Sequence, residues 1–144
     1  MKVLFLDIDG VLNNFKDRNF GEKLSGPACQ ALNTIIDRVP DLKIVISSSW
    51  RLWGTDYMAK LLDKNGVKDA LSKVIDCTGN EQGMRGYQIK CWIDRNPSVT
   101  NIVILDDESD MGPLLDKLVK PNRYIGLTTA DADRAVELLN TPIN

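Results

Sequence analysis

Two aspartates one residue apart, Asp7 and Asp9, close the first apolar run of the chain and are followed at once by Gly10. Far along the sequence, a second acidic group, Asp106-Asp107-Glu108-Ser109-Asp110, closes another short apolar run. Between them lie a hydroxyl-rich segment, Ser47-Ser48-Ser49-Trp50-Arg51, and a glycine-bearing loop, Thr78 to Gly86, which carries Arg85. The chain has no histidine. That excludes Ser-His-Asp triads, Cys-His dyads, histidine zinc sites and phosphohistidine chemistry, and leaves acid–base work to carboxylates, Lys, Tyr or Cys. Aspartates can serve as nucleophile, as proton donor, or as hard oxygen ligands for a divalent cation. Each segment alone reads equally well as a turn former or a solvated loop. Their meaning depends on whether the fold brings them together.

The apolar pattern says that it does. Val3 to Ile8, Leu42 to Ile46, Val74 to Cys77, Ile102 to Leu105 and Tyr124 to Leu127 read as buried strands. Between them run helical periods. Ser25 caps the first helix, with Pro27 in its first turn; the second covers Thr55 to Asn65; the third starts near Arg85 or Gly86; the last starts near Thr129. Strand–helix alternation of this regularity predicts an α/β, Rossmann-like three-layer sandwich with a central parallel sheet of about five strands. Right-handed crossovers place every strand's carboxyl end on one edge, where such sheets bind ligands. All four polar segments then share that edge. Carboxylates gathered so closely repel unless a cation or shared protons relieve them, and magnesium is the natural hard ion.

At 144 residues and 43% apolar content, the sequence suits one compact domain, 1–144, with no linker or repeat. No apolar run is long enough to span a membrane, and the aspartates interrupting the first strand argue against a signal peptide, so a cytoplasmic protein is expected. A net charge of −2 argues against broad nucleic-acid binding through a basic surface, without excluding a local basic groove. Cys29, Cys77 and Cys91 form no CxxC pair and suit a reducing compartment. Cys77 is followed by Gly83 where a cysteine-phosphatase loop would have Arg, and there is no GxxxxGK[ST] or GxGxxG.

The segment Asp7-Ile8-Asp9-Gly10-Val11-Leu12 resembles the DxDGxL motif of the haloacid dehalogenase (HAD) superfamily, whose members are mostly phosphatases. The serines, Arg85 and Asp106-Asp107 with Asp110 follow in that family's order. SSSWR and ILDDESDM look closest to its small capless domains, some found with RNA-repair proteins. The resemblance implies a Mg²⁺-dependent phosphomonoesterase. Asp7 would attack phosphorus to form an aspartyl-phosphate, and Asp9 would act first as general acid and then as base. The ion would be held by the Asp7 side chain, the Asp9 carbonyl and Asp106. Ser48, with Ser47 close behind, would bind a phosphoryl oxygen. Arg85 would supply the fixed cation, with Lys90 as competitor, and Asp107 and Asp110 would orient the metal's waters or the basic residue. Val11 to Leu24, with Asn13, matches the family's hairpin flap in position, and the connections leave no room for a large cap. An open site admits a nucleotide or a nucleic-acid terminal phosphate. Trp50 and Arg51 would then stack on a base and hold a phosphate, or else pack beneath the loop and pair with an aspartate. The alternatives are a phosphatase of a small metabolite and a phosphate-binding module without turnover.

Overall fold

In the computed structural model, which describes residues 1–143, the apolar runs form a parallel sheet of five strands in the order β3-β2-β1-β4-β5. These are β1 (Lys2–Leu6), β2 (Lys43–Ile46), β3 (Val74–Cys77), β4 (Asn101–Leu105) and β5 (Leu118–Val119). The helices are α1 (Gly26–Arg38), α2 (Thr55–Lys64), the single turn α3 (Ala70–Lys73), α4 (Arg85–Asp94) and α5 (Thr129–Leu139). Two 3₁₀ stretches, Ser49–Trp53 and Gly112–Lys117, follow β2 and precede β5. No helix is long and apolar enough to cross a membrane.

Side chains alternate across a strand, so β1 feeds two cores. Leu4 and Leu6 pack with residues of α1, α2 and α5 on one face, whereas Val3 and Phe5 meet Ile89 and Trp92 of α4 on the other. Helix starts follow their caps. The Ser25 hydroxyl accepts a bond from Ala28 N ahead of α1, and Thr128 and Asp131 form a reciprocal capping box at α5.

The strand order sets the site. From β1 the chain steps outward through β2 to β3, then returns by way of α4 to β4 on the other flank of β1. The reversal falls between β1 and β4, which pair from Lys2↔Asn101 to Leu6↔Leu105. Asp7 and Asp106, the next residues on, therefore emerge side by side at the switch point.

Two expectations need correction. The fifth strand is Leu118–Val119, not Tyr124 to Leu127. Asn122 closes a turn instead, its carbonyl accepting from Ile125 N and Gly126 N. Gly126 takes φ +85° where it passes close to Val11 O and Asn13 O. The alternation Tyr-Ile-Gly-Leu imitates a strand while Tyr124 and Ile125 are exposed. The flap segment after Val11 likewise contains turns and no hairpin. It is held by an Asn14–Asp17 side-chain turn, by Phe15 N donating to Arg123 O, and by Phe15 set edge-to-face against Phe20.

Candidate functional site

Asp7 leaves β1 with its backbone N–H still bonded to Leu105 O, so its side chain starts from the rigid centre of the sheet. One carboxylate oxygen from each of Asp7, Asp106 and Asp107 lies within 4.8 Å of the others, and all three residues are buried. Gly10 permits this crowding. Its φ is +81°, and a Cβ there would stand 2.5 Å from Asp107 Oδ2, so any side chain would push into the acidic group.

Arg85 meets the cluster from the first turn of α4, with Nη1 at 3.0 Å from Asp106 Oδ2 and 3.7 Å from Asp7 Oδ1. Its position is set by backbone contacts. Asp110 Oδ2 accepts from Arg85 N, Asp110 O accepts from Gly86 N, and Gly86 lies so close to Met111 that a Cβ would fall 2.1 Å from its carbonyl oxygen. Lys90 is exposed and pairs with Asp94 one turn along the helix, away from the carboxylates. Even with Arg123 against Asp107, two guanidiniums do not balance three buried carboxylates. Burial, then the facing Asp106, push Asp7 up to about 8 despite Arg85. Burial also raises Asp106, to about 6, against the Glu108 N–H and Arg85. Without a cation, burial and the neighbouring carboxylates favour protons held within the group. A buried, all-oxygen set with surplus negative charge suits a hard divalent cation, and these residues fit one.

Asp9 stands beside this group, not in it. Its Oδ1 accepts from Asn13 Nδ2 at 2.7 Å and its Oδ2 from Trp50 Nε1 at 3.2 Å. Asn13 is buried, and its Oδ1 accepts from Gly10 N. It orients Asp9. Trp50 is half-buried against the core, so its indole also positions Asp9. Arg51 forms no aspartate pair among the described residues. It donates to Ser48 O, and burial and the nearby positive Arg85 lower its pKa.

The serines separate by what already occupies them. Ser48 Oγ accepts from Trp50 N, capping the 3₁₀ turn. Ser47 Oγ is fully buried with no partner, as are Thr78 Oγ1 at the end of neighbouring β3 and Arg51 Nε. Buried donors left unsatisfied on adjacent strand ends are costly and mark a place for an acceptor.

Arg123 carries no sequence signal, yet it borders the cluster. Its Nε is 3.4 Å from Asp107 Oδ2, its Nη2 donates to Asp107 O and Glu108 Oε1, and its guanidinium lies 5.6 Å from the Phe15 ring centroid. It lies just ahead of the Tyr124 to Leu127 stretch that reads as a strand, where only packing against the flap would have revealed it.

With this geometry in place, the chain matches, over residues 3–132, a family described as the HAD domain in Swiss Army Knife RNA repair proteins. The chain belongs to that family. No curated protein and no solved structure matches it. Membership gives this HAD domain the general character of a HAD-type phosphohydrolase, and its acidic triad Asp7, Asp106 and Asp107 is compatible with that chemistry.

Proposed function

We propose that this HAD domain is a Mg²⁺-dependent phosphomonoesterase that works through an aspartyl-phosphate on Asp7 and acts on a nucleotide or a nucleic-acid terminal phosphate. The observation that carries the reading is the meeting of Asp7, Asp106 and Asp107 at the sheet's switch point, beside unpartnered donors on the next two strands.

The ion would be held by the carboxylates of Asp7, Asp106 and Asp107 and by the Asp9 carbonyl. When bound, it neutralises the repulsion between an anionic nucleophile and an anionic phosphate. Asp7 then attacks phosphorus. Asp9, steadied by Asn13 and Trp50, gives a proton to the leaving oxygen and later takes one from the water that releases phosphate. Ser47 Oγ has no partner, and Ser48 Oγ accepts from Trp50 N while its O–H stays free to donate, so either hydroxyl can serve a phosphoryl oxygen. Arg85 supplies fixed positive charge beside the phosphoryl oxygens, which carry the negative charge, and Asp110 positions Arg85 through the α4 backbone. Arg51, with its free Nε, adds a second cation. The family's association with RNA repair supports a nucleic-acid end over a small metabolite.

The test is phosphate release from p-nitrophenyl phosphate and from oligonucleotides bearing a 3′- or 5′-terminal phosphate, with Mg²⁺. Turnover should vanish with chelator and with Asp7→Asn. Wild-type inactivity across all substrates and divalent metals, or an active Asp7→Asn, would sink the reading.

A further inference from the structure

A cavity of about 430 Å³ opens beside Asp9, lined by Asp9, Phe15, Arg18, Phe20 and Tyr124. It lies next to the residue that, in the proposed reaction, serves the leaving oxygen. Whatever that oxygen is bonded to must extend from Asp9, and this cavity is the space bordering it.

The lining is unusual for a surface loop. Phe20 and Tyr124 are large apolar side chains left 42% and 62% exposed. Exposed aromatics gathered around a concavity mark a binding surface more often than isolated ones do. Phe15 meets both edge-to-face, at centroid distances of 5.1 Å from Phe20 and 6.1 Å from Tyr124. Phe15 is itself pinned by Arg123, through its backbone N–H and under the guanidinium. The floor is thus fixed while the flanking rings stay open to a ligand. Arg18 adds a cationic plane at the rim.

We infer that this cavity is the leaving-group subsite and that its occupant is a nucleoside, with the base stacked against Phe20 and Tyr124. The inference rests on the assignment of Asp9 to the leaving oxygen. A base is planar and aromatic and gains from ring faces and a guanidinium plane whatever its identity. A sugar or polyol would bring hydroxyls to walls that, apart from Asp9 and Arg18, offer mainly rings. The subsite therefore selects nucleotides over small phosphate esters and reads no base in particular. It also places base recognition at Phe20 and Tyr124, apart from Trp50, whose indole N–H donates to Asp9.

The experiment compares kcat/KM for nucleoside 3′- and 5′-monophosphates and a 3′-phosphorylated oligoribonucleotide with kcat/KM for glycerol phosphate. It uses wild type, the Phe20→Ala/Tyr124→Ala double variant, and Phe20→Trp. The nucleotide-to-glycerol-phosphate ratio should fall about tenfold or more in the double variant and hold or rise in Phe20→Trp. A ratio unchanged within about twofold of wild type overturns the inference while leaving the phosphatase reading intact. If wild type hydrolyses nothing, the phosphatase reading fails. Saturation-transfer NMR with unphosphorylated adenosine then decides the subsite alone. Transfer to base protons that is lost in the double variant supports it, and equal or absent transfer in both proteins overturns it.

Discussion

Arg85 and Arg123 both rest against the acidic edge, yet the chain holds them differently. Arg85 projects from the first turn of a helix, and its guanidinium touches only the carboxylates of Asp106 and Asp7. Arg123 sits in a turn and divides its contacts among the Asp107 side chain and carbonyl, Glu108 and the Phe15 ring. A cation whose only partners are carboxylates that could hold an ion would be released if an ion took them over. One tied to a backbone carbonyl and a ring stays where it is. The first arrangement suits a group that turns to substrate, and the second a strap between the acidic loop and the flap. Closeness to a charge cluster does not by itself assign a role; the nature of the other contacts does.

The sharpest way to break this comparison is kinetic. Arg85→Ala should cost about 100-fold or more in kcat/KM for a phosphate ester, as loss of a fixed transition-state cation does, whereas Arg123→Ala should stay within about tenfold. Equal losses would erase the distinction. Next in size is Gly86→Ala, which leaves Arg85 in place chemically but forces α4 away from Met111. Activity should drop roughly tenfold and denaturant unfolding should show a loss of about 1–3 kcal/mol. Wild-type behaviour in both would mean that Arg85 does not depend on that close approach.

Stability against pH sharpens the comparison further, because it reads the charge that Arg85 fails to balance. Asp7 is raised from an ordinary 3.8 to about 8, so across that interval the folded protein keeps a proton that the unfolded chain releases. With more protons bound in the folded state, stability falls as pH rises. The metal-free melting temperature should drop by roughly 5–10 °C between pH 5 and pH 8. Mg²⁺ should reverse the drop, and Asp7→Asn should flatten it. A metal-free profile that rises over this range would contradict the uncompensated cluster. A smaller effect is expected from Arg123→Ala, about 1 kcal/mol, with faster amide exchange confined to the flap around Phe15. The smallest belongs to Lys90→Ala. Its exposed pair with Asp94 is worth under about 0.5 kcal/mol, and activity should not change.

Much of this architecture was legible because solid apolar runs ending in charge have few places to go in an α/β fold. The buried runs into Asp7 and Asp106 could only be strands of one parallel sheet, and the DxDGxL segment carried the family with it. What escaped is local and reciprocal. Leu118–Val119 is too short to announce a strand, while Tyr124 to Leu127 alternates like one but bends at Asn122 and Gly126. The triple serine left the register open between Ser48 and Ser47, and a sequence cannot show that Ser48 Oγ accepts from Trp50 N at the start of the 3₁₀ turn. A sequence cannot reveal that Asn13 and Trp50 both donate to Asp9. Asp107 was expected to orient the metal's waters or the basic residue, and one of its carboxylate oxygens lies within 4.8 Å of those of Asp7 and Asp106.

The pairing of Leu6 with Leu105 has a consequence of its own. Since successive residues of a strand face alternate ways, sliding β4 by a single position against β1 would send the carboxylate that should stand beside Asp7 into the apolar layer and bring a leucine to the mouth. The reactive edge thus behaves like a vernier. Its setting is read out in ångströms at the tips but held by ladder bonds buried well below them, so a change deep in the sheet can silence it without altering one of its polar atoms.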